Sequence, residues 1–228
     1  MILSAIVDVV RGRLEDDEDP YLWSNEYLTG CVSQTINDLC RRVTPFALIV
    51  DASTEALVKF TMLAEAHTIT LSERITRVMR AKLASQTGPL IRALNVTEMD
   101  ASVPGWESTP SGSPTHFIED GVGTNQLRLW PALKTADVLW LTVARMPLAD
   151  LVWATDQGSS PAIPERYHDQ LYDGIMARAY LKDDTDTLDL KKSMIYEARW
   201  AQTINDIKAS ELRRTATNHS CAPHDGHI

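Results

Sequence analysis

The stretch Ile163–Trp200, IPERYHDQLYDGIMARAYLKDDTDTLDLKKSMIYEARW, constrains the fold more than any other part of the chain. Apolar residues fall at helical spacing on both sides of an acidic turn, which predicts two helices that must each bury a stripe. Pro164 suits a first helical turn, and Tyr167, Leu171, Ile175, Met176, Ala179 and Tyr180 make the first stripe. The turn Lys182–Asp186 interrupts it. Asp184 then reads as the N-cap of a last long helix, with Asp186 and Asp189 in its first turn. Leu188, Met194, Ile195, Ala198, Ala201, Ile204 and Ile207 form the apolar face expected for that helix.

A second helical pair opens the chain. Ile2, Leu3, Ile6, Val9, Val10 and Leu14 repeat at helical spacing. The acidic run Glu15–Asp19 and Pro20 break the pattern, because like charges repel and proline disfavours helix in the residue before it. Ser24 follows as an N-cap, flanked by Trp23 and Leu28 at the positions of a hydrophobic staple. The stripe from Tyr27 to Val43 ends at Pro45, with Arg41 and Arg42 in the last turn, where cations suit the helix dipole.

From Phe46 to Pro147 the period shortens. Leu57–Leu63, Thr68–Leu71, Ile75–Leu83, Thr115–Glu119, Gln126–Trp130 and Val138–Arg145 are short, often β-branched, and mostly bounded by turn residues. In the last of these both faces are apolar, so a fully buried strand is expected. Ser102–Pro114 reads as a long loop carrying Trp106. The fold class expected is therefore α+β. Residues 1–45 and 161–210 form a helical bundle domain, 46–150 a β-rich insertion domain, 151–160 a linker, and 211–228 a flexible polar tail without periodicity.

Composition narrows the function classes. A net charge of −9 lacks the basic balance on which general nucleic-acid binding depends. No apolar run approaches the roughly 18–20 residues that span a bilayer, so no membrane partner is expected. Cys31, Cys40 and Cys221 show no paired spacing and read as reduced thiols. Asp183–Asp189 lacks the central glycine and terminal glutamate of a calcium loop. His219, Cys221, His224 and His227 have soft-ligand chemistry but no second ligand cluster. No G-x-S-x-G, H-E-x-x-H or phosphate-cradling glycine loop occurs. No cofactor, metal or catalytic residue is expected, and a protein that works by shape and assembly is. Two other readings compete with it. One is a carboxylate/histidine-dependent hydrolase built around His116 and His168. The other is a regulatory nucleic-acid binder presenting Arg41 and Arg42, against which the net charge argues. Trp106 is either a packing anchor or an interface residue. Either Tyr180, Tyr196 and Trp200 complete the core while Arg199 pairs with a nearby acid, or all four face a neighbour, since aromatic and Arg side chains dominate interface cores.

DPYLWSNEYLTGCVSQTINDLCRR near the start, LRLWP before the last strand, LTVARMPL at its end and IPERYHDQLYDGIMARAYLKDDTDTLD before the last helix carry a resemblance. Up to about Trp200 the chain resembles the head–tail adaptor (connector) proteins of tailed bacteriophages. Two features depart from the pattern: Ala52–Thr70 has no clear glycine turn, and the Cys/His-containing tail has no family role. The resemblance implies a homo-oligomeric ring of twelve copies beneath the portal protein, extending the DNA channel and docking tail or nozzle proteins. Genomic DNA would pass without sequence-specific binding. The location implied is the virion head–tail junction, reached from the host cytoplasm during assembly. Val10–Leu14, Trp23–Arg42 and Pro164–Lys208 would form the bundle, Phe46–Pro147 the projecting β part, and Ser210–Ile228 a segment that orders on assembly. The candidate interface residues are Trp106, Tyr180, Arg199, Trp200, Arg213 and Arg214.

Overall fold

The computed structural model describes residues 1–93, 96–119 and 124–219, and the side chains of all of these except 93 and 215–219. The chain divides into two compact units, Met1–Leu48 with Pro147–Ile228, and Ile49–Met146. In chain order the elements are α1 (Leu3–Leu14), α2 (Asn25–Arg42), β1 (Val50–Asp51), α3 (Glu55–Val58), β2 (Lys59–Met62), β3 (Thr68–Thr70), β4 (Ile75–Leu83) and β5 (Ile91–Ala93). They continue with α4 (Val96–Ser102), β6 (His116–Glu119), β7 (Gln126–Trp130), β8 (Asp137–Arg145), α5 (Trp153–Asp156), α6 (Tyr172–Ala179) and α7 (Leu190–His219). The class is α+β, as the change of period predicts.

In the helical unit α6 is the hub. It packs against α1, α2 and α7, and it buries Tyr172, Gly174, Ile175, Met176, Ala177 and Ala179 on all sides, as a helix surrounded by others must. The contact is close because Gly174 has no side chain. A Cβ there would lie 2.6 Å from Thr35 Cγ2 on α2 and 2.9 Å from the Trp200 ring on α7. Trp23, the predicted staple residue, is buried, and its Nε1 donates to the Ala179 carbonyl at the end of α6 (2.9 Å), one of the acceptors a helix end leaves open. Ser24 caps α2 as expected, its Oγ accepting from the Tyr27 amide at 3.2 Å.

The loop between α1 and α2 differs from its sequence reading. One acid of the run turns inward: Asp16 is buried and pairs with buried Arg11 at 2.6 Å. Asp16 also accepts from the Leu22 and Trp23 amides, while Arg11 reaches the Trp23 carbonyl and Asn25 Oδ1. Both carboxylate oxygens of Asp16 and both terminal nitrogens of Arg11 have partners, which is the condition for burying charge.

The last hairpin differs too. The predicted third helix is a 3₁₀ segment, Glu165–Gln170, followed by the short α6. Asp184 does not cap α7. Its carboxylate meets Lys182 Nζ (3.3 Å), and its carbonyl accepts from the Thr187 and Leu188 amides, closing a separate turn. The cap is Asp189, whose Oδ1 accepts from the Lys192 amide at 2.9 Å. Helix α7 then runs to His219, beyond the end at 210 read from the sequence; 220–228 of the expected tail lie outside the described residues. Within the expected linker, Trp153–Asp156 forms the one-turn α5.

The other unit holds two four-stranded sheets. In the first, β8 is central: β4 pairs with it antiparallel along one edge, and β1 and β2 pair with it antiparallel at different stretches of its length. The second has the order β3-β7-β6-β5, with β5 and β6 parallel. Leu139, Leu141 and Val143 of the first sheet share one core with Phe117, Leu127 and Leu129 of the second. β8 is therefore buried on one face, not two. On the other face Trp140 is 38% exposed, because its cross-strand neighbours are Lys59 and Lys82, whose charged ends stay in water. The predicted loop after residue 102 contains a 3₁₀ turn, Trp106–Ser108, that seats Trp106 in a small core with Met99 and Ile118.

Candidate assembly surfaces

The six candidate interface residues divide by burial. Trp106 is inside: its Nε1 donates to Asp100 (2.8 Å), Trp130 Nε1 donates to its carbonyl, and the Arg128 guanidinium lies 4.5 Å from its ring. Trp200 is also inside, donating to Asp38 Oδ2 at 2.8 Å. Asp38 in turn binds Arg178 and Arg42, so α2, α6 and α7 meet in one network. Tyr180 is buried between Trp23, edge-on at 6.2 Å, and Tyr196, stacked at 5.8 Å. Arg199, Arg213 and Arg214 are exposed along α7. Arg199 leans over Tyr196, and Arg214 binds Glu211 at 2.6 Å.

Glu211 is a functional-looking residue that sequence reasoning passed over. It is buried near the end of the described α7, where its carboxylate accepts from Tyr167 Oη, Arg166 Nη2 (3.0 Å) and Arg214. Burial would push its pKa up. The hydrogen bonds from Tyr167, Arg214 and Arg166 outweigh that and hold it below the usual carboxylate value. Such a group stays charged at neutral pH and serves as a clamp on the 3₁₀ segment, not as a proton donor. Its signal in the sequence was its place beside Leu212 on an otherwise polar turn, which periodicity alone cannot separate from solvent-exposed Glu.

The groove on the opposite elements is equally inert. About 360 Å³ in volume, it is lined by Glu26, Tyr27, Gly30, Cys31, Gln34 and Arg178, among others. Burial pushes the Cys31 thiol up to about 11 against the lowering effect of Arg178, and pushes the Tyr27 phenol up to about 12. A thiol kept protonated is a poor nucleophile. Cys31 and Cys40 are both buried and unbridged; Cys221 lies outside the described residues. His168 is buried, with Nε2 on the Ile163 carbonyl (3.0 Å). His116 sits on β6 with Nδ1 2.8 Å from Thr115 Oγ1 and its ring against Trp130. Among the described residues no three His, Cys, Asp or Glu side chains gather as metal ligands would. His219's side chain, Cys221, His224 and His227 are outside that set. No helix of the described residues is long and apolar enough to cross a membrane.

What the helical unit offers instead is exposed apolar surface. Met194 and Ile195 were expected on the buried face of the last helix, yet both face solvent, Met194 at 73% exposure, and Leu190 beside them is exposed as well. Tyr21, Leu22, Leu181 and Leu188 are about half exposed nearby in the chain's two acidic loops. These loops adjoin: Lys182 Nζ donates to the Leu22 carbonyl. Large apolar side chains grouped on a surface mark places where another protein packs.

The family model described as SU10 adaptor protein matches residues 1–221. No curated protein matches the chain.

Proposed function

Because the chain belongs to the SU10 adaptor family, the head–tail adaptors of tailed bacteriophages that its sequence resembles, we propose that it assembles as a ring of twelve copies beneath the portal protein. The ring would extend the DNA channel and present the docking surface for tail or nozzle proteins, with genomic DNA passing through unread. It acts by assembly and not by catalysis. Its place is the head–tail junction of the virion, and it reaches that place from the host cytoplasm. The family match along 1–221 carries this reading. The exposed apolar residues at the start of α7 support it, since a monomer gains nothing from leaving Met194 and Ile195 in water.

In this reading residues 1–45 and 161–210 form the body of the ring, continued by α7 to His219, and 46–150 the projecting arm. Arg199, Arg213 and Arg214 face neighbours directly. Trp106, Tyr180 and Trp200 serve the interface from beneath by fixing the surfaces above them. The test is electron microscopy of the purified protein mixed with its portal. Closed twelvefold rings stacked on portal are expected, and a protein that stays monomeric and never joins particles overturns the reading.

A further inference from the structure

The outer face of the first sheet is basic, although the protein as a whole is acidic. Register places Lys59, Trp140 and Lys82 in one row across β2, β8 and β4. At the usual strand spacing that row is about 10 Å wide. Arg80 stands opposite Thr142 in the next row, and Arg77 opposite Ala144 beyond it, where β1 adds exposed Val50. Lys59 Nζ lies 5.1 Å from the Trp140 ring and pairs with Glu55. Among the described residues Arg80 and Lys82 have no acidic partner. A half-exposed tryptophan beside Lys82 and Arg80, neither of which has an acidic partner among the described residues, is a recognition surface without its partner.

The net charge of −9 falls almost wholly on the helical unit, and the β unit is close to neutral. An acidic surface of the helical unit is formed by its two adjoining loops, joined by the Lys182–Leu22 hydrogen bond. There Asp17, Glu18, Asp19, Asp183, Asp184 and Asp186 surround the half-exposed Tyr21, Leu22, Leu181 and Leu188. It is the complement of the sheet face in both respects: acids for its cations, and apolar side chains for Trp140 and Val50. The two patches are on different units and differ in kind, so a contact between them on two copies is heterologous, the type that closes into rings.

We propose that the Trp140-centred sheet face of one copy docks on the acidic double loop of a second copy of this chain. The inference rests on the ring reading above and names one of its contacts. Charge reversal tests it. Arg80→Glu with Lys82→Glu, and separately Asp183→Lys with Asp186→Lys, change three exposed positions and the half-buried Lys82; unchanged circular dichroism and urea midpoints check that both fold. Each pair alone is expected to lower the fraction of protein in rings on portal by at least about tenfold, since like charges brought together cost several kcal/mol. The four changes combined are expected to restore it. A zero-length carbodiimide cross-link between Lys82 and the Asp183–Asp186 loop of different copies is expected in wild type.

Wild-type ring formation by the Arg80/Lys82 variant, or additive loss without rescue, overturns this contact while leaving the ring itself standing. Absence of rings in wild type removes the reading beneath it as well. Salt-sensitive retention of duplex DNA by wild type, lost in the Arg80/Lys82 variant whose rings are intact, overturns it in favour of a phosphate-binding face.

Discussion

Gly174 inverts an ordinary expectation. Glycine inside a helix costs about 1 kcal/mol relative to alanine, so Gly174→Ala reads from sequence as a stabilising change. In the folded protein the added methyl would stand 2.6 Å from Thr35 Cγ2 and 2.9 Å from Trp200, both buried. Gly174→Ala is expected to destabilise by about 1–3 kcal/mol, read as a lower urea midpoint; an equal or higher midpoint would mean that α2 and α7 can draw apart freely. Asp51 is the second residue with a sharp consequence. Burial alone would raise its pKa, but the Thr54 hydroxyl and amide, the Ser53 amide and Arg145 Nε at 2.7 Å hold it well below the usual carboxylate range. A depressed folded pKa contributes stability that is present above the ordinary carboxylate pKa and is lost as pH falls through the folded value. Wild type should therefore lose stability on acidification more steeply than Asp51→Asn, and parallel pH profiles of the two would show that the clamp contributes nothing. A local signal carried Ser24, whose partner, the Tyr27 amide, lies three positions on; Trp23 is held by the Ala179 carbonyl and Tyr180, far along the chain. Asp16 could not be read this way. In a run of five acids it looks solvated, and only the fold shows that Arg11 has turned to meet it.

Elements were readable where the pattern was periodic and misplaced where a tertiary contact chose between near-equivalent caps. Both Asp184 and Asp189 have N-cap chemistry, and the sequence favours the earlier because the acidic run begins there. Lys182 draws Asp184 away, and the hydrogen bond from the Asp189 amide to the Tyr180 carbonyl fixes the later start. Asp189→Ala should cost about 1 kcal/mol in thermal or urea unfolding and Asp184→Ala much less; the reverse order would move the start of α7 back to where the sequence put it. The longer strands β4, β7 and β8 stood out as segments, often β-branched, bounded by turn residues. Strands β1 and β5, of two and three residues, did not, because their existence depends on partners far along the chain. The same nonlocality hid the exposed side of β8. Trp140 reads as core by type and is surface by register, since its neighbours on both sides are lysines.

At the scale of the molecule, bulk charge concealed its own distribution. A value of −9 argues against nucleic acid for the chain as a whole, yet it averages a strongly acidic helical unit with a β unit that turns a basic face outward. The alternation of helical and strand periods marked the class, but no window of sequence shows which charges share a surface. The division into units has a physical test. Val50 of β1 pairs with Ala144 of β8, so the first and last strands of the β unit run side by side, and neighbouring strands lie about 4.8 Å apart. A chain in which Ile49–Met146 is replaced by a Gly-Ser dipeptide should keep the helical circular dichroism and a cooperative unfolding transition; loss of both would make the bundle dependent on its insert. That same doorway, one strand spacing wide, lets such a module be traded for another of any length whose ends meet in like fashion, as a drill changes bits while the chuck stays put.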